Sequence, residues 1–272
     1  MTDSTTQADS PSQADAQDAT RGWFAATRVL VKAVPAAYER LGRGGVSLLY
    51  SGIPVPTLNG VLTATADPDP AEVAAFAAEL PDLSVPWSIH LRGELDTDTE
   101  AGAALGKVAA KHGLTRRYTE PLMIRRGGPA RQVAETAARS VRVVRPDDQK
   151  AYIATMAAAF NAPARIMAML AAPEILGAPG VVGYAAESDG RIVAVGLGVT
   201  TGDAVGVYNI ATLREYRGRG YGRAVTERAV ADGIAAGAAF AYLQSTEAGF
   251  ELYRSLGFRT AERWTYLMAP DI

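Results

Sequence analysis

Short apolar runs of period two alternate along most of the chain with longer runs of helical spacing, and their order predicts a mixed sheet flanked by helices. In the C-terminal half VRVV (141–144) reads as a strand, followed by helical stretches DDQKAYIATMAAAF and PARIMAMLAAPEIL. VVGYAAESDGRIVAVGLGV (181–199) is a hairpin, because Asp189-Gly190 is a favoured two-residue turn between apolar runs. AVGVYNIAT (204–212) is a strand, RAVTERAVADGIAAG a helix, AFAYLQS a buried strand, FELYRSLG a short helix and ERWTYLMA a final strand. The predicted order is β-α-α-β-β-β-α-β-α-β, an α/β (α+β) fold with helices on both faces of a mixed central sheet.

The N-terminal half repeats part of that order. TLNGVLTA (57–64), PAEVAAFAAEL, VPWSIHL, GAALGKVAAKHG and RRYTEPLMIR read as β-α-β-α-β, matching residues 204–269. The ends also match in sequence, KHGLTRRYTEPLM (111–123) beside SLGFRTAERWTYLM (255–268), so we read a diverged internal repeat. The pattern divides the chain into a tail (1–20), a first unit (21–126), a linker (127–140) and a second unit (141–272). The tail, MTDSTTQADSPSQADAQDAT, has too few apolar residues for a core and is expected to be disordered. It has neither the basic start nor the apolar segment of a signal peptide, and no run is long enough to span a bilayer, so a cytoplasmic protein is expected.

Composition narrows the chemistry. A hydrophobic content of 48% suits a sizeable core, and a formal net charge of -2 supplies no overall field for nucleic acid or acidic membranes. With no cysteine, disulfides, thiolate metal sites and a cysteine nucleophile are excluded. The two histidines, His90 and His112, are read as packing or surface residues, and no metal site is expected.

One stretch breaks the pattern: REYRGRGYGRAV (214–225), between a strand and a helix. Its glycines bring backbone N–H groups to the positive end of a helix dipole, which makes an anion site. It fits neither the P-loop spacing nor the dinucleotide fingerprint. Arg217, Gly220 and Gly222 give R-x-x-G-x-G instead. The corresponding stretch of the first unit, TADPDPAEV (65–73), has no glycine and three acidic residues. An anion loop is expected in the second unit only.

R-x-x-G-x-G after an apolar strand resembles the acetyl-CoA signature of the GNAT acetyltransferases. VYNIATLREYRGRGYGRAV resembles the family's fourth strand, pyrophosphate loop and following helix, and LQSTEAGFELYRSLGF its fifth strand and fourth helix. The resemblance covers about residues 141–269, and the first unit looks like a degenerate copy, as in tandem members. It implies an acetyl-CoA-dependent N-acetyltransferase that moves the acetyl group directly to a primary amine of a small molecule or peptide. A non-enzymatic CoA-binding sensor is the alternative. Two parallel strands, 206–212 and 239–245, would part around the pantetheine arm. Backbone groups of Ile210, Ala211, Thr212 and Leu213 would face that arm. The loop Arg217, Gly218, Arg219, Gly220, Tyr221, Gly222 and Arg223 would hold the pyrophosphate.

By the same resemblance Tyr253 is the catalytic residue, hydrogen-bonding the departing thiolate. The acceptor amine also needs a proton route, since a lysine-like amine at pH 7 is deprotonated about once in 10³ to 10⁴ molecules. Some members carry a glutamate where this chain has Gly206. Glu187, Asp203 and Glu247 are alternatives to a water chain, which is the preferred expectation. Ile166, Met167, Met169 and Leu170, with Arg165 and Glu174 as charges, are candidates for a wall of the acceptor site. The assembly is expected to be a monomer with pseudo-dimeric halves or a homodimer.

Overall fold

The nine runs read as strands are joined by an unforeseen hairpin in one continuous eleven-stranded sheet in the computed structural model, which describes residues 12–80, 84–127 and 140–270. The strands are β1 (Tyr38–Leu41), β2 (Val46–Tyr50), β3 (Asn59–Thr63), β4 (Ser88–Leu91), β5 (Arg116–Arg126), β6 (Val141–Val143), β7 (Val181–Ser188), β8 (Arg191–Thr201), β9 (Ala204–Thr212), β10 (Phe240–Gln244) and β11 (Arg259–Met268). Their order across the sheet is β1-β2-β3-β4-β11-β5-β10-β9-β8-β7-β6. The mixed α/β fold expected from the pattern is present. The linker expected at 127–140 falls almost wholly outside the described residues.

That order contains an exchange. β5, the last strand of the first half, pairs antiparallel with β10 of the second half, Leu122 opposite Gln244. β11, the last strand of the second half, pairs antiparallel with β4, Tyr266 opposite His90. The two exchanged strands then pair with each other from Arg259↔Ile124 to Met268↔Arg116, with a bulge between Thr260 and Glu262. The boundary at 126/141 therefore divides the sequence repeat but not the sheet.

The helices among the described residues are α1 (Gln13–Ala33), α2 (Pro70–Ala77), α3 (Glu100–Lys111), α4 (Gln149–Phe160), α5 (Ala164–Leu170), α6 (Pro173–Leu176), α7 (Tyr221–Ala235) and α8 (Glu247–Ser255). The first corrects the sequence reading: residues 13–20, expected in a disordered tail, are the start of a core helix, and residues 1–11 lie outside the described chain. Ser12 caps α1 by accepting from the Asp15 amide at 3.1 Å. Ala16, Ala19, Gly22, Trp23 and Ala26 form its buried face, and small residues let the backbone lie close on the sheet. A side chain at Gly22 would strike the Tyr242 ring. Asp15 is buried and receives Arg126 at the end of β5 and Arg259 at the start of β11, at 2.8 and 2.6 Å. One carboxylate thus fastens the helix to both exchanged strands.

On one face α1 closes a core containing Trp23, Phe24, Leu122, Ile124, Trp264 and Tyr266, drawn from both halves. On the opposite face of the second half, α7 packs through Ala224, Val225 and Ala229 on Val205, Val207 and Leu243. The first half keeps its own cluster, in which Val73 and Phe76 of α2 meet Val61 and Ile89.

Candidate active site

β9 and β10 are hydrogen-bonded neighbours over three register pairs, ending at Tyr242↔Gly206. Beyond Gly206, β9 continues to Thr212 without a β10 partner, so the parallel strands part where the sequence places 207–212. On its other edge β9 bulges against β8: Leu197 faces Tyr208 and Val195 faces Ala211, so Asn209 and Ile210 together oppose Gly196. Asn209 has φ 54°, a left-handed conformation that asparagine tolerates better than most residues. Tyr152 donates to the Gly196 carbonyl at 2.9 Å and steadies the bulge. Ile210, Ala211 and Thr212 end the parted strand, and Leu213 leaves it with its amide on the Val193 carbonyl.

A short turn, Arg214–Tyr216, leads to the glycine-rich loop. Gly218 and Gly220 have φ of 74° and 86°, and Gly220 is the N-cap of α7 without a side-chain capping bond. The first intrahelical bond runs from the Ala224 amide to the Gly220 carbonyl, which leaves the amides of Tyr221, Gly222 and Arg223 ahead of it. A Cβ at Gly222 would come within 3.2 Å of Thr212 Oγ1, so the loop lies tight against the end of β9. Two of the predicted arginines are tied to the protein. Arg217 donates to the carbonyls of Thr212 at 3.1 Å and Ala159 at 2.9 Å, and Arg223 to Ser255 Oγ at 2.6 Å. Arg219 lies over the Tyr216 ring at 5.2 Å. The loop's anion donors are therefore its backbone amides.

Tyr253 is on α8, whose neighbouring Leu252 touches the Gly222 position. Its ring stands edge-on to Phe258 at 6.1 Å and against Gly249. Burial pushes the phenol up to about 12.

Next to the parted strands lies a cavity of about 250 Å³ that the sequence reading did not foresee. α1, β2, β4, β5, β8, β9, β10 and β11 all contribute to it, and Asn209 of the bulge lies on its wall. Of the residues expected to wall an acceptor site, Leu170 lines this cavity, whereas Ile166 and Met167 pack on Tyr152 and Met156. His90, read as a packing residue, is buried on the cavity wall, and burial holds its imidazole neutral, down to about 3. His112 packs edge-on to Trp87 at 5.5 Å.

The carboxylates weighed as bases lie elsewhere. Glu187 is held by Arg142 at 2.9 Å, Asp203 by Arg21 at 2.9 Å at the start of β9, and Glu247 borders a separate cleft. Gly206 cannot carry a side chain, because a Cβ there would sit 2.5 Å from the Tyr242 hydroxyl and the Tyr208 ring. Those two tyrosines form a relay, Tyr208 Oη to Tyr242 Oη at 2.8 Å and Tyr242 Oη to the Gly22 carbonyl at 2.8 Å. The carboxylate that does line the cavity is Glu120 of β5, pushed up to about 7 by burial. Its signal was in the sequence: period two along β5 puts Glu120 on the face of the core residues Leu122 and Ile124.

The equivalent place in the first half is filled by the chain itself. β3 and β4 pair over three residues, ending at Leu62↔His90. Beyond them Arg92 crosses the gap, its amide on Thr63 Oγ1 at 2.9 Å and its Nη1 on the Ala64 carbonyl at 3.1 Å. Asp69 caps α2 by accepting from the Ala71 amide at 2.9 Å, so its own carboxylate sits at the helix N-terminus.

Residues 179–260 match the family model of an acetyltransferase (GNAT) domain, a span that holds the parted strands, the loop and Tyr253. The match identifies a GNAT acetyltransferase domain within the second half of the chain. Solved structures share the fold over nearly the whole chain. A GCN5-related N-acetyltransferase from Kribbella flavida is 21% identical, with a TM-score of 0.66 over 93% of this chain and 96% of that one. A conserved protein of unknown function from Staphylococcus epidermidis is 11% identical, with a TM-score of 0.62 over 87% and 95%. A GCN5-related N-acetyltransferase-like protein from Streptococcus suis is 9% identical, with a TM-score of 0.51 over 92% and 98%. No curated protein matches the sequence. Among the described residues no group of three or more His, Asp or Glu side chains could hold a metal ion, and no helix is long and apolar enough to cross a membrane.

Proposed function

We propose that the chain is an acetyl-CoA-dependent N-acetyltransferase that transfers acetyl directly to a primary amine, with its one cofactor site in the second half. The carrying observation is the parting of β9 from β10 directly ahead of an uncapped, glycine-built helix N-terminus. The residues fit the group. The unpaired edge of β9 from Val207 to Thr212 offers backbone donors and acceptors to the pantetheine amides, and the amides of Tyr221, Gly222 and Arg223 offer donors to the pyrophosphate. Acetyl-CoA supplies an activated thioester. Tyr253 donates a hydrogen bond to the sulfur as it takes up charge. With the phenol near 12 and a thiol near 8.5, full proton transfer would be uphill by about 5 kcal/mol, so the phenol keeps its proton at the start of the step.

In the first half Arg92 and Asp69 occupy the corresponding gap and helix end, which supports a structural and substrate-binding part for that half. Calorimetry with acetyl-CoA tests the reading. Gly222→Asp places a carboxylate in the first turn of α7, which favours the helix but repels a phosphate. Acetyl-CoA binding should fall at least 50-fold while the variant still unfolds cooperatively, since Thr212 Oγ1 need give way only slightly. Undiminished binding in that variant would sink the assignment. Tyr253→Phe should bind acetyl-CoA normally and release thiol 10- to 100-fold more slowly across a panel of amines.

A further inference from the structure

Resting on that reading, we propose that the cavity between α1, β4, β5 and β9 is the acceptor site, that it takes a primary amine with an apolar, ring-sized body and a hydroxyl group, and that Glu120 is its catalytic base. About 150 Å³ suffices for a benzene ring, so about 250 Å³ takes a ring with a short amino side chain. Four aromatic residues, Trp23, Tyr118, Tyr208 and Tyr266, line it, and no lysine or arginine does. A cationic amine there meets ring faces and a single carboxylate, Glu120.

Two buried polar atoms of the residues lining the cavity have no partner and specify a further group on the ligand. Ser88 Oγ donates to the Pro56 carbonyl at 2.9 Å, so it accepts from His90 Nε2 at 2.8 Å. A neutral imidazole with its proton on Nε2 leaves Nδ1 as an unfilled acceptor. Gln244 Oε1 accepts from Trp23 Nε1 at 3.0 Å, which leaves the Nε2 donors of Gln244 unfilled. A hydroxyl both donates and accepts, and so satisfies either atom or both.

Glu120 stands between this cavity and an outer cleft bordered by Ser245, Thr246, Glu247 and Arg263. It takes a proton from the ammonium on the inner side and passes it to water on the outer side. The freed nitrogen pair attacks the thioester carbonyl carbon; the C–N bond forms and the C–S bond breaks. The second proton lost by nitrogen ends on the sulfur, whose charge Tyr253 stabilises meanwhile. The titratable and charged groups facing Glu120 are Tyr118 on its own strand, Tyr266 on β11, Tyr208 on β9, His90 on β4, and Glu247, Glu251 and Arg263 around the outer cleft.

The test uses the full chain with 2-(4-hydroxyphenyl)ethylamine, 2-phenylethylamine and a lysine peptide, reading amine binding by calorimetry and turnover by thiol release. The hydroxylated amine should exceed the plain one at least 10-fold in kcat/KM, and the lysine peptide by more. Glu120→Gln should lower kcat about 100-fold at pH 7 and remove a rate limb near pH 7, with acetyl-CoA affinity within 2-fold. Thr27→Phe, on the cavity rim, should abolish binding of the small amine while acetyl-CoA still binds. Equal rates for the three amines, or an unchanged pH profile in Glu120→Gln, overturns the proposal. Amine binding blocked by Thr27→Phe without any thiol release would instead overturn the transferase reading and leave the pocket standing.

Discussion

Glu120 is a carboxylate whose burial is opposed by no cation in its cavity, and that has a thermodynamic signature apart from catalysis. Its folded pKa of about 7 lies above the reference of 4.5, so between those values the folded chain holds the proton more tightly than the unfolded one. Stability attached to this group is whole below about pH 4.5 and is lost as pH rises through 7. Glu120→Gln should therefore gain on the parent by about 3 kcal/mol between pH 4 and pH 8, measured as denaturant midpoints. A constant difference would mean that the carboxylate is solvated. At this scale the sequence was uneven. Gly218, Gly220 and Gly222 announced the loop because their backbone demands are local. Glu120 and His90 did not announce a pocket, because the residues opposite them come from strands and a helix far away in the chain.

At the scale of elements, α1 decides how the sheet is covered. Four of its nine buried positions are alanine or glycine and its first turn carries Asp15, so composition argued for a tail. The need for close approach explains the small residues, and Arg126 and Arg259 explain Asp15. Burial disfavours the ionised Asp15, but hydrogen bonds from Arg126 and Ser12 and the charge of Arg259 outweigh it and lower its pKa. Its contribution is thus present at neutral pH and is lost on acidification. Asp15→Ala should cost about 2–3 kcal/mol, below the usual range for a buried pair because both guanidiniums are partly exposed. The melting temperature should drop by about 5–10 °C, and a change under 2 °C would mean that the helix docks without this carboxylate. The hairpin β1–β2 was not foreseen either, since its strands are only four and five residues long and offer little periodicity. The strands and helices of the repeat were legible because their periodicity runs over several turns or pleats.

Across the whole molecule, the internal repeat specified neither the sheet order nor which half owns which strand. β5 pairs with β10 and β11 with β4, and Asp15 holds the ends of both strands. Because each half is completed by the other's last strand, calorimetric unfolding should give one cooperative transition. Residues 141–272 expressed alone should not reach a folded state, lacking both α1 and β5. Two resolved transitions, or a folded fragment with dispersed amide signals, would contradict the interlocked sheet.

The exchange also sets how the sheet is assembled. Two separate chains trading strands would have to find each other, and their pairing would weaken on dilution. Here both traded strands are on one polypeptide, so their encounter is intramolecular and its effective concentration is set by the connecting segment. The sheet, and the cavity walled from both halves, should persist at any dilution.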